Sequence, residues 1–290
     1  MKQAYQIGLG VLLMAMFAAC SPKVVPKVSE AASSVVPPVA LAVTNKVYSG
    51  QKDSLLSLAA AEDAPMIIDS AGNQLPAEWV ATVNFGIRKP NYVVLHYTAQ
   101  DSLGQTIRTF TLKHTQVSAH YVIGKTGRIV RMANDYLRAN HAGVGKWGSI
   151  TDMNSCSIGI EIDNNGKEPY AEPQIKALIY LLKQLKTNYS IPQANFIGHQ
   201  DWAPKRKPDP GPLFPWQLMA ANGIGFWPDE LLVPAPFNYD YLTALRLIGY
   251  DISSPKDAVV AFKRHFIQTD VTPVMTQLDL NVLYNLSKKY

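Results

Sequence analysis

Apolar and polar positions repeat with two different periods through the middle of the chain, and the switches between them outline its elements. Asn91-Tyr92-Val93-Val94-Leu95-His96-Tyr97 is β-branched and aromatic, which predicts a buried strand ending near His96. Ala119 to Gly124 and Gly127 to Arg131 predict a hairpin turning near Lys125-Thr126-Gly127. Ser157 to Ile162 alternates strictly: Ile158, Ile160 and Ile162 take one face, Ser157, Gly159 and Glu161 the other. The period then lengthens. Pro173 suits a first helical turn, and Ile175, Leu178, Ile179, Leu182 and Leu185 form a stripe that packs on a core. Asn195 to Gly198 predicts a short strand that delivers His199. Strands and helices alternating in this way predict an α/β fold, a mixed central sheet flanked by helices.

The ends of the chain read differently. After about residue 236 come three short helical patterns: Tyr239 to Ile248 with Gly249 as the C′ residue, a second opening at Ser254-Pro255, and a third from about Thr276 to Ser287 through Leu278, Val282, Leu283 and Leu286. They predict a small C-terminal three-helix module. At the other end, Ile7 to Ala19 is an apolar run behind Lys2, too short for a comfortable membrane span and shaped like the core of a signal peptide. Residues 21 to about 64 are rich in Val, Ala, Ser and Pro and predict a flexible tether, with a short helix near Leu55 to Ala61. The expected organisation is therefore a signal segment over 1–19, a tether over 20–64, an α/β body over 65–235 and the helical module over 236–290.

Composition adds limits. The chain has 290 residues, 47% of them apolar, enough for a sizeable core and for roughly two domains. A net charge of +5 suits an anionic partner such as a membrane surface or a cell-wall polymer, or simply a soluble basic surface. No nucleic-acid-binding motif is present, so nucleic acid is not an expected partner. The two cysteines, Cys20 and Cys156, sit in unlike contexts. Phe17-Ala18-Ala19-Cys20 resembles a bacterial lipobox, in which Cys20 is lipidated; an ordinary secretory signal cleaved near Ala19 is the alternative. Ser21 follows, without the Asp that marks inner-membrane retention, which by resemblance to Gram-negative lipoproteins favours the outer membrane. Cys156 is then the remaining thiol, expected to be small and buried.

The candidate chemistry concentrates in Gly198-His199-Gln200-Asp201 and Lys207-Pro208-Asp209-Pro210-Gly211. Imidazole and carboxylate are zinc ligands, and with His96 upstream they make a two-His, one-carboxylate set that leaves a position open for water. Pro208 and Pro210 restrict the backbone on either side of Asp209. Any single His here also fits a hydrogen-bonded core position. Glu161 stands on the polar face of an otherwise apolar strand, where it suits a general base or, alternatively, a salt bridge. Lys207 suits a developing oxyanion, although Lys205-Arg206-Lys207 is also a plain basic run.

Taken in order, Val94-Leu95-His96-Tyr97-Thr98, Ser118-Ala119-His120-Tyr121, His141-Ala142-Gly143, Ser157-Ile158-Gly159-Ile160-Glu161, and Gly198-His199 through Gly211 resemble the zinc-dependent N-acetylmuramoyl-L-alanine amidases of the type 2 family, relatives of the peptidoglycan recognition proteins. The resemblance covers about residues 65 to 230. The C-terminal helices resemble a peptidoglycan-binding module, and the whole layout resembles the outer-membrane lipoprotein branch of the family. The resemblance implies zinc on His96, His199 and Asp209, Glu161 as the proton-transfer group and Lys207 at the oxyanion. It also implies a substrate groove lined by His141, Ala142 and Gly143, with Trp147 as a stacking surface. The chain departs from phage-type relatives in carrying Ala119 where they have Tyr and Asp209 where they have Cys. The implied setting is the periplasmic face of the outer membrane, the implied partners peptidoglycan and muropeptides plus the membrane through Cys20. A non-catalytic peptidoglycan-binding lipoprotein and a peptidase cutting within the stem peptide are the rival readings.

Overall fold

A computed structural model describes residues 38–59, 67–68, 70–75 and 88–290. The signal segment, Cys20 and the first part of the expected tether lie outside the described residues. In chain order the elements are α1 (Pro38–Ala59), β1 (Ile67–Ile68), β2 (Gln74–Leu75), β3 (Tyr92–Tyr97), α2 (Leu103–Thr111), β4 (Tyr121–Ile123), β5 (Ile129–Arg131), β6 (Ser157–Ile162), α3 (Glu172–Tyr189), β7 (Phe196–Gly198), α4 (His199–Trp202), α5 (Trp216–Ala221), α6 (Tyr241–Ile248), α7 (Pro255–Phe266) and α8 (Gln277–Leu286). The helix α1 is longer than the short helix expected near Leu55 to Ala61. Among the described residues no helix is long and apolar enough to cross a membrane.

The sheet is mixed, as the alternation predicts. Its order is β5-β4-β6-β3-β7, with β4 and β5 antiparallel and the other neighbours parallel. Strand parity decides what each face does. Ile158, Ile160 and Ile162 of β6 and Val93 and Leu95 of β3 point to one side, where they pack with Ile175, Leu178, Leu181, Leu182 and Leu185 of α3. Ile179 is only partly buried, and Leu181 and Tyr189 complete the stripe instead. Each fully buried Leu or Ile contributes about 2 kcal/mol of transfer free energy. Leu182→Ala should therefore cost about 2–5 kcal/mol, read as a lower urea midpoint at unchanged slope. The helix α3 starts with Pro173 in its first turn and stops at Ser190, whose φ of 52° takes the left-handed conformation that glycine more often supplies.

The opposite face begins with Val94 and Ile197 and continues into the three C-terminal helices. Ala142, Trp147 and Trp202 share one apolar cluster with Leu245, Ile248, Tyr250, Val259, Phe262 and Leu283. Residues 236–290 form three helices, and these helices complete the core of the catalytic body where the sequence suggested a separate module. Local details differ from expectation in two places. The Ser254 hydroxyl donates to Asp257 at 2.6 Å and makes no cap to a backbone amide. Leu278, in the first turn of α8, is 60% exposed, although Val282 and Leu286 of the same stripe are buried.

Candidate active site

Three strand ends converge on one spot. His96 lies near the end of β3 and Glu161 near the end of β6, and the two are paired in the parallel register. Both sit on the face opposite the α3 core, by the same parity that buries Leu95 and Ile160. His199 follows directly on β7, the other neighbour of β3. A crevice outside the carboxyl ends of parallel strands is where open α/β sheets place their ligands. Asp209 is brought back by the proline-rich loop. Its carbonyl accepts from the Gln200 amide at 2.7 Å, and the next carbonyl, Pro210, accepts from the Tyr170 hydroxyl at 2.8 Å.

His96, His199 and Asp209 form a buried group of potential metal donors. His96 Nδ1 is 2.9 Å from His199 Nδ1 and 3.0 Å from Asp209 Oδ2, and His199 Nδ1 is 3.1 Å from the same oxygen. The surrounding hydrogen bonds set the tautomers. His199 Nε2 donates to the Ala142 carbonyl at 2.8 Å, so its Nδ1 carries a lone pair. For His96 the assignment passes through a relay. Ser157 gives its single proton to the Met153 carbonyl at 2.6 Å, so at 3.2 Å it accepts from His141 Nε2. His141 Nδ1 then accepts from His96 Nε2 at 3.2 Å, which leaves a lone pair on His96 Nδ1 as well. With both imidazoles neutral, two lone pairs and a carboxylate oxygen thus face one another. Such a group calls for a cation, and two neutral imidazoles with one carboxylate suit zinc. An equilateral triangle of this size has its centre about 1.7 Å from each corner, inside the zinc–ligand distance of about 2.0 Å, so one ion reaches all three.

Burial first, and the neighbouring His199 second, lower the His96 pKa to about 4 despite the opposing pull of Asp209. Burial and the surrounding imidazoles push His141 well below the usual value. For Asp209 burial acts upward, but the adjoining His199 and His96 outweigh it and hold the carboxyl below its ordinary value. The imidazole shifts have a stability consequence. A His whose folded pKa is depressed resists a proton that the unfolded chain accepts near pH 6.5, so stability is lost as pH falls from there toward the folded value. The metal-free protein should lose stability between about pH 6.5 and about 4, and the contribution of Asp209 only at lower pH. Urea unfolding of chelator-treated protein across that range checks this; a flat stability curve from pH 7.5 to 4.5 contradicts it.

Glu161 and Lys207 share a cleft of about 570 Å³ with the three donors. Glu161 Oε2 is buried and has no hydrogen-bond partner, so the carboxyl makes neither the salt bridge nor the structural bond that would explain it otherwise. Burial first and the charge of Asp209 second raise its pKa well above the carboxylate range, with Lys207 opposing. The basic run divides. Lys205 is exposed, Arg206 donates to the carbonyls of Ala142 (2.8 Å) and Val144 (2.9 Å), and Lys207 lines the cleft.

The other sequence candidates separate too. His141 and Gly143 line the cleft. Gly143 has φ +60° and an added Cβ would come within 2.9 Å of the Arg206 guanidinium, so both conformation and space favour glycine there. Ala142 is fully buried and contributes its carbonyl, which accepts from His199, Trp202 and Arg206. Trp147 is a correction. It is 5% exposed, packed edge-on against Tyr250 at 4.9 Å, and faces the C-terminal helices, so it offers no stacking surface to a ligand. His120 is fully buried and bonded to the Gly159 amide and Leu137 carbonyl, and Cys156 is half-buried. Sequence reasoning missed Ser157, Asn154 and Asp201. Asn154 Oδ1 accepts from the amides of His141 and Ala142 at 3.1 and 2.9 Å. One signal was available: Gly159, a glycine inside a strand, marks a close approach, and a Cβ there would sit 2.3 Å from the His141 ring.

An α/β sheet with donors and an unpartnered carboxyl gathered at its strand ends defines a hydrolase-type site. Comparison with known proteins narrows the class. The N-acetylmuramoyl-L-alanine amidase family matches residues 87–212. The N-acetylmuramoyl-L-alanine amidase AmiD of Escherichia coli is 36% identical over 236 residues, 70% of this chain and 83% of that protein. A structure of E. coli AmiD, solved with the substrate anhydro-N-acetylmuramic acid-L-Ala-D-gamma-Glu-L-Lys, matches with a TM-score of 0.64 at 32% identity over 77% of this chain and 97% of that one. AmpDh3 from Pseudomonas aeruginosa, solved with an anhydromuramic pentapeptide, matches with a TM-score of 0.63 at 30% identity over 73% and 96%. The chain belongs to the N-acetylmuramoyl-L-alanine amidase family and is an enzyme of that class.

Proposed function

We propose that this enzyme hydrolyses the amide between N-acetylmuramic acid and the L-Ala of the stem peptide, using zinc held by His96, His199 and Asp209. The observation that carries the reading is the convergence of three buried potential ligands beside a carboxyl whose Oε2 is buried and unpartnered. Zinc, when bound, supplies Lewis acidity and a water that ionises near neutral pH. The chain's own groups do the rest. Glu161 takes the proton of the attacking water and passes it to the departing L-Ala nitrogen. Lys207, on the same cleft wall, offsets negative charge as the carbonyl carbon becomes tetrahedral. Arg206 and Asn154 hold the 141–144 segment that forms one rim.

The likeness to two amidases solved with muropeptides supports peptidoglycan or its fragments as substrate. The lipobox-like Phe17-Ala18-Ala19-Cys20 supports a lipid anchor on Cys20 and a place at the periplasmic face of the outer membrane. The resemblance of the C-terminal helices to a peptidoglycan-binding module supports a further wall contact.

Purified protein incubated with peptidoglycan, with and without a chelator, tests the reaction by mass spectrometry of the products. Free stem peptides beginning at L-Ala, lost on chelation and restored by zinc, are expected. Uncut glycan strands bound tightly by a zinc-loaded protein would make it a binding protein instead. Fragments cut inside the stem would make it a peptidase.

A further inference from the structure

We infer that Tyr250 and His265, contributed by the C-terminal helical region, are positioning residues for the metal site, acting through Asp201; this rests on the zinc reading above. Asp201 is fully buried in α4, two residues after His199. Its Oδ2 accepts from the Gly198 amide at 2.7 Å and from His265 Nδ1 at 2.8 Å, and its Oδ1 accepts from the Tyr250 hydroxyl at 2.9 Å. A carboxylate taken wholly out of water costs several kcal/mol unless it is met by such donors. Two of the three come from residues beyond 236.

Those two donors have little freedom. The His265 ring lies between Trp216 (centroids 3.8 Å apart, 19° between planes) and Phe266 (4.0 Å, 15°). Tyr250 is packed edge-on against Trp147, and its backbone pairs with Trp147 in an isolated antiparallel bridge. Next to it, the Gly249 carbonyl accepts from the Gly148 amide at 2.6 Å, and a Cβ on Gly249 would lie 2.3 Å from the Trp147 ring. The hydroxyl of Tyr250 is thereby held at a fixed place relative to α4.

What α4 carries makes this matter. Its first residue is the ligand His199, and its second, Gln200, donates its backbone amide to the carbonyl of the ligand Asp209 at 2.7 Å. The third, Asp201, ties the helix back to the Gly198 amide at the strand–helix junction. One short helix thus sets two of the three donors, and the C-terminal region sets the helix. Supporting groups of this kind typically change metal affinity or activity by about 10–100-fold.

The test uses the full chain and measures zinc affinity by chelator competition, kcat and KM separately, and the melting temperature. Tyr250→Phe removes one hydroxyl and keeps the ring. It should weaken zinc by about tenfold, and kcat should fall while KM stays within about twofold. Asp201→Asn should weaken zinc at least as much. Adding Tyr250→Phe to Asp201→Asn should cost less than about twofold more, because the hydroxyl acts through that carboxylate. Lys263→Met supplies the control. Lys263 is buried on α7 and bonded to Asp270 and Asp279, without touching Asp201. It should lower the melting temperature and leave zinc affinity unchanged. If the unsubstituted chain binds zinc and Tyr250→Phe binds it equally, or if Lys263→Met weakens zinc as much as Tyr250→Phe does, the inference is overturned and the zinc reading stands. If the unsubstituted chain binds no zinc, both fall.

Discussion

Glu161→Gln is expected to lower kcat on a muropeptide by about 10²–10⁴-fold, the usual worth of a positioned proton-transfer group, while the protein still binds one zinc ion. Gln keeps the shape of the side chain and removes its ability to take a proton. No structural bond is lost, since Oε2 has no partner, so the melting temperature should hold or rise. A rise is reasonable because the carboxyl is held far from its ordinary titration range by burial. The measurements are kcat, metal content and thermal unfolding on the same preparation. A loss of less than tenfold in kcat would remove Glu161 from proton transfer. A loss of zinc would recast it as part of the metal site.

Asp209→Ala should abolish stoichiometric zinc binding, and activity with it. Two neutral imidazoles remain, with their Nδ1 lone pairs 2.9 Å apart and the anionic member of the set gone. Structural zinc in small domains contributes about 10–16 kcal/mol of apparent binding free energy near pH 7, and a site reduced to two neutral donors keeps a small part of such a sum. Asp209→Cys separates charge from geometry. A thiolate is itself a zinc ligand, so this variant should recover metal where the alanine variant does not. Metal content after dialysis against a weak chelator decides the matter. Zinc retained by Asp209→Ala would mean that the ion sits elsewhere. Loss of both zinc and folded structure in the cysteine variant would mean that the loop around Asp209, more than its charge, builds the site.

Much of the site was legible along the chain because it depends on short-range rules. Period-2 alternation in Ser157 to Ile162 assigned the isoleucines to the core and Glu161 to the other face, and the structure keeps that division. The α3 stripe was legible for the same reason, with Ile179 and Leu181 exchanging places within one turn. Trp147 was not legible. An indole four residues after Gly143 suits a groove as well as a core, and what decides between them is Tyr250, about a hundred positions away. Leu278 was not legible either: it shares a helical face with buried Val282 and Asn285 but lies in the first turn of α8, where it is exposed.

The sequence by itself determined the element types, the mixed α/β class and the residues able to serve as donors, since backbone periodicity and side-chain chemistry are properties of neighbouring positions. Tertiary structure alone decided the tautomers of His96 and His199, which depend on a relay from Ser157 and on the Ala142 carbonyl. It alone decided that the C-terminal helices share the core of the catalytic body and reach Asp201 beside the donor set. Both depend on lone pairs and packing faces meeting across long stretches of chain, and no local pattern encodes the distance between two residues that meet only after folding.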